Sequence, residues 1–204
     1  MRRGGVARLP AALWLTAVLA SAPLACSRAP SFQGDALDTP RPILDFSLLD
    51  QAGRPIRLSD LHGRVVVLTF LYTSCPDVCP LITQKLHEVS ETLGTRRADV
   101  ALVAVTVDPA RDTMLRLAAY SRRWQMQDRW HFLTGSEADL EPLWRYYWVG
   151  EVSHGPTSGA GAYEVDHASP LHLIDRAGRV RVVYNQDFHP TQLAHDIGVL
   201  IDGG

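Results

Sequence analysis

The chain has 204 residues, 46% hydrophobic and 21% charged, with 20 Lys+Arg against 22 Asp+Glu. At roughly 100–200 residues per domain this is one domain, with enough core to fold without a disulfide framework, and three cysteines are too few for one. A formal net charge of −2 lacks the basic excess that counterion release on nucleic acid requires, so no nucleic-acid partner is expected.

Residues 1–25 read as a secretory signal. Arg2, Arg3 and Arg8 stand before an apolar run through Leu13, Trp14, Leu15, Val18 and Leu19, which ends in small residues. The run is interrupted by Pro10 and Pro23 and falls short of the ~20 residues of a spanning helix. The stretch Ser21-Ala22-Pro23-Leu24-Ala25-Cys26 resembles the lipobox of bacterial lipoproteins, which implies a lipid on Cys26 and a membrane-bound, periplasmic domain. A cleaved soluble form and an uncleaved anchor are the alternatives. All three export the domain to a compartment where disulfides persist. Loss of residues 1–25 removes three arginines and no acid, which leaves a more acidic chain.

Residues 26–43, with Pro30, Gly34, Pro40 and Pro42 and no apolar period, read as a flexible tether, and 44–204 as the folded domain. Phe46–Leu49 and Pro55–Leu58 flank a Gly-containing turn, which predicts an N-terminal hairpin, and Ser59–Leu61 a short helical turn. Val65–Tyr72 is a continuous β-branched and aromatic run, as expected of a strand buried on both faces. Leu81, Leu86, Val89 and Leu93 then mark one side of a helix closed by Gly94. A second buried strand is expected over Val100–Val107, a helix over Thr113–Trp124, a short strand over Trp130–Leu133 and a helix from Ser136 to about Tyr147. Val149–Glu164, rich in glycine, reads as an irregular insertion or loose hairpin. Leu171–Ile174 and Val180–Tyr184 bracket another turn, and Pro190–Ile201 closes the chain as a helix with Pro190 in its first turn. This order implies an α/β fold, a mixed central sheet with helices on both faces.

Cys75 and Cys79 sit where the first long strand meets its helix. That is where a thioredoxin-like fold keeps its reactive thiols, and the helix N-terminus there favours thiolate. Four residues apart, the two sulfurs can lie on one side and face one metal ion or each other. The C-x3-C spacing, unlike the C-x2-C of thioredoxins, shifts weight from pure disulfide exchange toward metal binding. An ordinary disulfide or a pair of buried thiols is the bland alternative.

Phe70-Leu71-Tyr72-Thr73-Ser74-Cys75-Pro76-Asp77-Val78-Cys79-Pro80 resembles the signature of the Sco/SenC family, copper-binding proteins of thioredoxin-like fold that help assemble the copper A centre of cytochrome c oxidase. Val107-Asp108-Pro109-Ala110-Arg111-Asp112-Thr113 is similar to the family's V-D-P-x-R-D-T stretch, and Val165-Asp166-His167 to its D-H segment. The resemblance runs from about Phe46 to Ile201. It implies a copper ion, Cu(I) or Cu(II), held by Cys75, Cys79 and His167. It also implies a copper chaperone rather than a turnover enzyme, with the copper A subunit of the oxidase or another periplasmic copper protein as partner. The competing reading is a thiol-disulfide oxidoreductase using Cys75 or Cys79 on the cysteines of a copper protein. A peroxidase reading is weaker, because no resolving cysteine is left if Cys26 carries lipid.

By position, Asp77 and Asp166 are candidates to tune their neighbours, and His154 is a candidate auxiliary ligand. Asp108, Arg111 and Asp112 read as a structural charge network below the site. His62, His87, His131, His172, His189 and His195 are expected to be surface or partly buried, with His172 on the opposite face of its strand from Leu171 and Leu173.

Overall fold

The computed structural model describes Met1 and residues 31–149, 153–156, 163–166 and 169–203. The expected signal and Cys26 lie outside these residues. In chain order the elements are β1 (Asp35–Pro42), β2 (Ser47–Asp50), β3 (Pro55–Arg57), β4 (Val65–Leu71), α1 (Val78–Leu93), β5 (Val100–Thr106) and α2 (Met114–Arg123). They continue with β6 (Trp130–Thr134), α3 (Glu137–Tyr146), β7 (Ser153–Pro156), β8 (Tyr163–Asp166), β9 (Leu171–Ile174), β10 (Arg179–Tyr184) and α4 (Pro190–Asp202).

Among the described residues, eight strands form one sheet in the order β1-β10-β9-β4-β5-β6-β2-β3, while β7 and β8 pair as a separate antiparallel hairpin. Every residue of β4 and β5 is buried, so both faces of the sheet centre are covered, which is why their sequences run apolar without alternation. The two strands pair in parallel from Val65↔Val100 to Leu71↔Thr106, joined by α1. β9 runs antiparallel to β4, with His172 opposite Leu68. The block β10-β9-β4-β5, with α1 after β4 and α4 after β10, is the thioredoxin-like arrangement, and α2-β6-α3 extends it on the β5 side.

Helices α1 and α4 pack on each other, and α2 joins them through the Tyr120 hydroxyl, 2.9 Å from Thr83 Oγ1 on α1. α3 covers the other face. Tyr147, at its C-terminal end, sets its ring 5.8 Å from Phe70 and 5.2 Å from His172. The helix starts follow local chemistry: Thr113 accepts the Arg116 N–H on α2, Ser136 the Asp139 N–H on α3, and His189 with Gln192 forms a reciprocal box on α4.

Two expectations are corrected. The tether over 26–43 is shorter than the sequence implies, because residues 35–42 form β1, an edge strand paired with β10. Before it, Phe32 packs against the core, and the N–H groups of Gln33 and Gly34 donate to the buried Asp196 carboxylate at 2.9 and 3.0 Å. Gly34 lies so close to Tyr184 that a Cβ there would meet its ring at 2.5 Å. Mostly exposed and carrying Pro40 and Pro42, β1 has no apolar period to read, and an edge is where a strand tolerates proline. The second correction is His172, which is fully buried. It is on the opposite face from Leu171 and Leu173 as alternation requires, but Tyr147 and Trp148 roof that face.

Candidate metal centre

The loop from Leu71 to Val78 carries the C-x3-C pair between the sheet centre and α1. Asp77 stands at the N-cap of α1, yet its side chain makes no capping bond. Sulfur takes that role: the Cys79 N–H donates to Cys75 Sγ at 3.3 Å, so one orphan amide of the first helical turn is satisfied by a thiol side chain. Pro80 lies in the same turn, where a missing N–H costs nothing.

The two cysteines are not joined by a disulfide, and they differ in depth: Cys79 is fully buried and Cys75 partly exposed. Their acidities diverge in consequence. Cys75 is lowered from its ordinary 9.0 to about 6. The hydrogen bond from the Cys79 thiol is the chief cause, aided by the backbone N–H groups of Cys79 and Asp77 and by the Tyr72 hydroxyl, and opposed by burial. Cys79 is pushed well above the ordinary value, first by burial and then by its bond to Cys75 and that sulfur's negative charge. At neutral pH the pair is therefore one thiolate and one thiol sharing a proton.

The loop is held from below by the end of β5 and the turn after it. Asp112, fully buried, accepts from the Thr73 N–H at 3.2 Å, from the Thr73 hydroxyl and from Thr106 Oγ1 at 2.6 Å. Burial raises the Asp112 carboxyl, and the nearby Asp108 adds to the rise. Arg111 pairs with Asp108 and lies over the Tyr72 ring, 5.9 Å from its centroid. The expected charge network thus exists, with Asp112 turned to hydroxyls and an amide rather than to arginine. Thr73, two residues before Cys75, is the anchor point.

Two further contributors are invisible in the motif. Thr83 Oγ1 donates to the Cys79 carbonyl at 2.8 Å, and the Tyr120 hydroxyl meets Thr83. Thr83 lies four residues beyond Cys79 on α1, the spacing that returns a hydroxyl to the preceding turn, and that was the only available signal.

Of the three predicted ligands, the structure brings Cys75 and Cys79 together, while His167 lies outside the described residues. Asp166, immediately before it, ends β8 opposite Ser153, and His154 stands in β7 opposite Val165. Among the described residues, no group of three or more His, Cys, Asp or Glu could hold a metal, and the cysteines supply two sulfur donors. The donors fit a soft ion: one sulfur is already ionised and the other needs to lose a single proton. His172 is not a candidate. Its Nε2 is 2.7 Å from the Tyr147 carbonyl, its Nδ1 has no partner among the described residues, and burial lowers its pKa to about 4.

Residues 35–202 match the family model described as SCO1/SenC, a match that begins at the first residue of β1. A SCO2-like protein of Rickettsia felis is 30% identical over 149 residues, which are 73% of this chain and 72% of the relative. The structure of Bradyrhizobium japonicum ScoI with copper bound superposes with a TM-score of 0.69 at 30% identity, covering 76% of this chain and 97% of that one. A SCO1/SenC family lipoprotein from Bacillus anthracis gives a TM-score of 0.68 at 27% identity, covering 81% and 99%.

Proposed function

Because this chain belongs to the SCO1/SenC family, we propose that it binds one copper ion through Cys75, Cys79 and His167 and passes it to a copper protein, the copper A subunit of cytochrome c oxidase or another periplasmic copper protein. The observation that carries this reading is the unbridged cysteine pair at the β4–α1 junction, with Cys75 held as thiolate. Thiolates suit Cu(I), and the His167 imidazole completes a low-coordinate site able to take Cu(II) as well. The Bradyrhizobium relative, which holds copper, adds support. Anaerobic titration of the reduced protein should give one copper per chain. Cys75→Ser and Cys79→Ser should lose tight binding, and His167→Ala should weaken it and alter the Cu(II) spectrum. Unchanged affinity in Cys75→Ser refutes the assignment.

The same reading places the domain outside the cytoplasm, with residues 1–25 as signal and Cys26 as the lipidated N-terminus, in keeping with the Bacillus anthracis lipoprotein of this family. Among the described residues no helix is long and apolar enough to cross a membrane. A mature N-terminus at any residue other than Cys26, read by mass spectrometry, overturns this.

One observation favours a second reading. An acidic, partly exposed Cys75 beside a buried, protonated Cys79 is the arrangement of an attacking and a resolving thiol. In disulfide exchange Cys75 attacks a client disulfide, and Cys79 then displaces the client thiol and leaves Cys75–Cys79 oxidised. His167 separates the two readings: copper retention needs it, and exchange does not.

A further inference from the structure

A cleft of about 350 Å³ opens at the opposite end of the sheet from the cysteines. Arg54, Arg64, Arg97, Arg129 and His131 line it, with Asp128 as the one acidic lining residue. Arg54 comes from the β2–β3 turn, Arg64 precedes β4, Arg97 precedes β5, and Arg129 and His131 stand at the start of β6. These are the N-terminal ends of three parallel strands. Cys75 follows the C-terminal end of β4, which spans Val65–Leu71, so roughly 20 Å of strand separates cleft from thiols.

Part of the lining is fixed in direction. Arg129 pairs with Glu91 and bonds the Gln125 carbonyl at 3.0 Å and Ser90 Oγ at 3.2 Å. Arg54 reaches the buried Asp50 carboxylate through Nε at 2.9 Å and Nη2 at 2.8 Å, and His131 Nδ1 lies 3.3 Å from the same group. Arg64 and Arg97 are different: among the described residues neither side chain has a carboxylate partner. The chain as a whole is slightly acidic, at −2, so this concentration of cations runs against its average. Asp50 and Glu91 already offset Arg54 and Arg129, so the cations of this lining left without a carboxylate among the described residues are Arg64 and Arg97, whose planar forks match the oxygens of phosphate.

We propose that this cleft binds an oxyanion of the phosphate class, with Arg64 and Arg97 making the new charge-assisted bonds and Arg54 and Arg129 as pre-oriented walls. The same chemistry is offered by free phosphate and by the phosphodiester headgroup of an anionic lipid. Calorimetry at low ionic strength on the reduced full chain distinguishes them, with inorganic phosphate in one arm and the water-soluble headgroup glycerophosphoglycerol in the other. Saturable binding of phosphate alone assigns a free anion, and saturable binding of the phosphodiester assigns the headgroup.

In either case the doubly substituted R64Q/R97Q chain should bind about tenfold more weakly or worse, the scale of one lost charge-assisted bond. Arg122→Gln, an exposed arginine off the cleft, should bind as the parent does. Thermal melts check that both variants fold, and amide shifts at Arg64 and Arg97 in the parent report the site directly. Binding of neither probe, equal loss in Arg122→Gln, or full binding by the double variant overturns the proposal.

Discussion

The sharpest consequence of the site's geometry is kinetic. With a pKa of about 6, Cys75 is roughly 90% thiolate at pH 7, whereas a thiol at the ordinary 9.0 is about 1% ionised. That advantage of ~90-fold is largely offset, because nucleophilicity falls with basicity at a Brønsted slope of about 0.4–0.5, or ~15–30-fold over three pKa units. Alkylation of Cys75 at pH 7 should thus be only a few times faster than that of an ordinary thiol, and slower above pH 9. The inflection, not the rate, is diagnostic. Iodoacetamide labelling of the reduced protein across pH, with Cys75 resolved by peptide mass spectrometry, should level off above about pH 6 to 7. In Cys79→Ala the chief stabilising hydrogen bond is gone, while the backbone N–H groups of residues 77 and 79 remain. A hydrogen bond to a charged group is worth about 1.5–3 kcal/mol, so the inflection should rise by roughly one to two units. A parent rate still climbing through pH 8 to 9, or the same inflection in Cys79→Ala, refutes the account of how this thiolate is held.

Other outcomes follow from named contacts. His172 is buried and neutral, with its pKa lowered to about 4, so its contribution to stability is complete above 6.5 and is lost as pH falls toward 4. About 3 kcal/mol rides on that window, and thermal melts should show His172→Phe losing less stability from pH 6.5 to pH 4 than the parent loses; parallel losses would contradict it. Thr73→Val removes one of the donors to the buried Asp112 and should cost about 1–3 kcal/mol in urea unfolding while raising the Cys75 alkylation inflection little, since Thr73 acts on loop position rather than on the sulfur. Copper binding by the oxidised protein should be far weaker than by the reduced one, because a Cys75–Cys79 disulfide removes both sulfur donors; equal affinity in the two states would place copper elsewhere.

The parts of the fold legible in the sequence are those whose environment is uniform along the chain. Val65–Leu71 and Val100–Thr106 are buried on both faces and therefore spell unbroken apolar runs, and Thr113, Ser136 and Pro190 mark helix starts with local chemistry alone. What escaped was set by distant partners. β1 is a strand because β10 offers an edge some 140 residues later, and nothing in Asp35–Pro42 itself announces that. His172 is buried by Tyr147 and Trp148, which cross over β9 from the end of α3. The cysteine pair was legible as a pair, since its place between a buried strand and a helix is a local fact. The opposite characters of its two sulfurs were not, because they depend on depth: Cys75 is partly exposed and Cys79 fully buried.

That difference in depth also constrains how a metal can enter. Ionising Cys79 beside an existing thiolate would place two negative sulfurs together in a largely buried pocket, and burial and like charge both oppose it. A cation between the sulfurs reverses both effects, since it neutralises the charge and replaces the solvation that burial removed. Loss of the Cys79 proton and capture of the ion are then one event, so affinity for copper should rise with pH by about one proton per ion between the two thiol pKa values. In the proposed transfer the same coupling would run backward: any donor that takes the ion would leave Cys79 free to recapture a proton. Protonation thus favours release, and the buried thiol biases the pair toward giving the ion up.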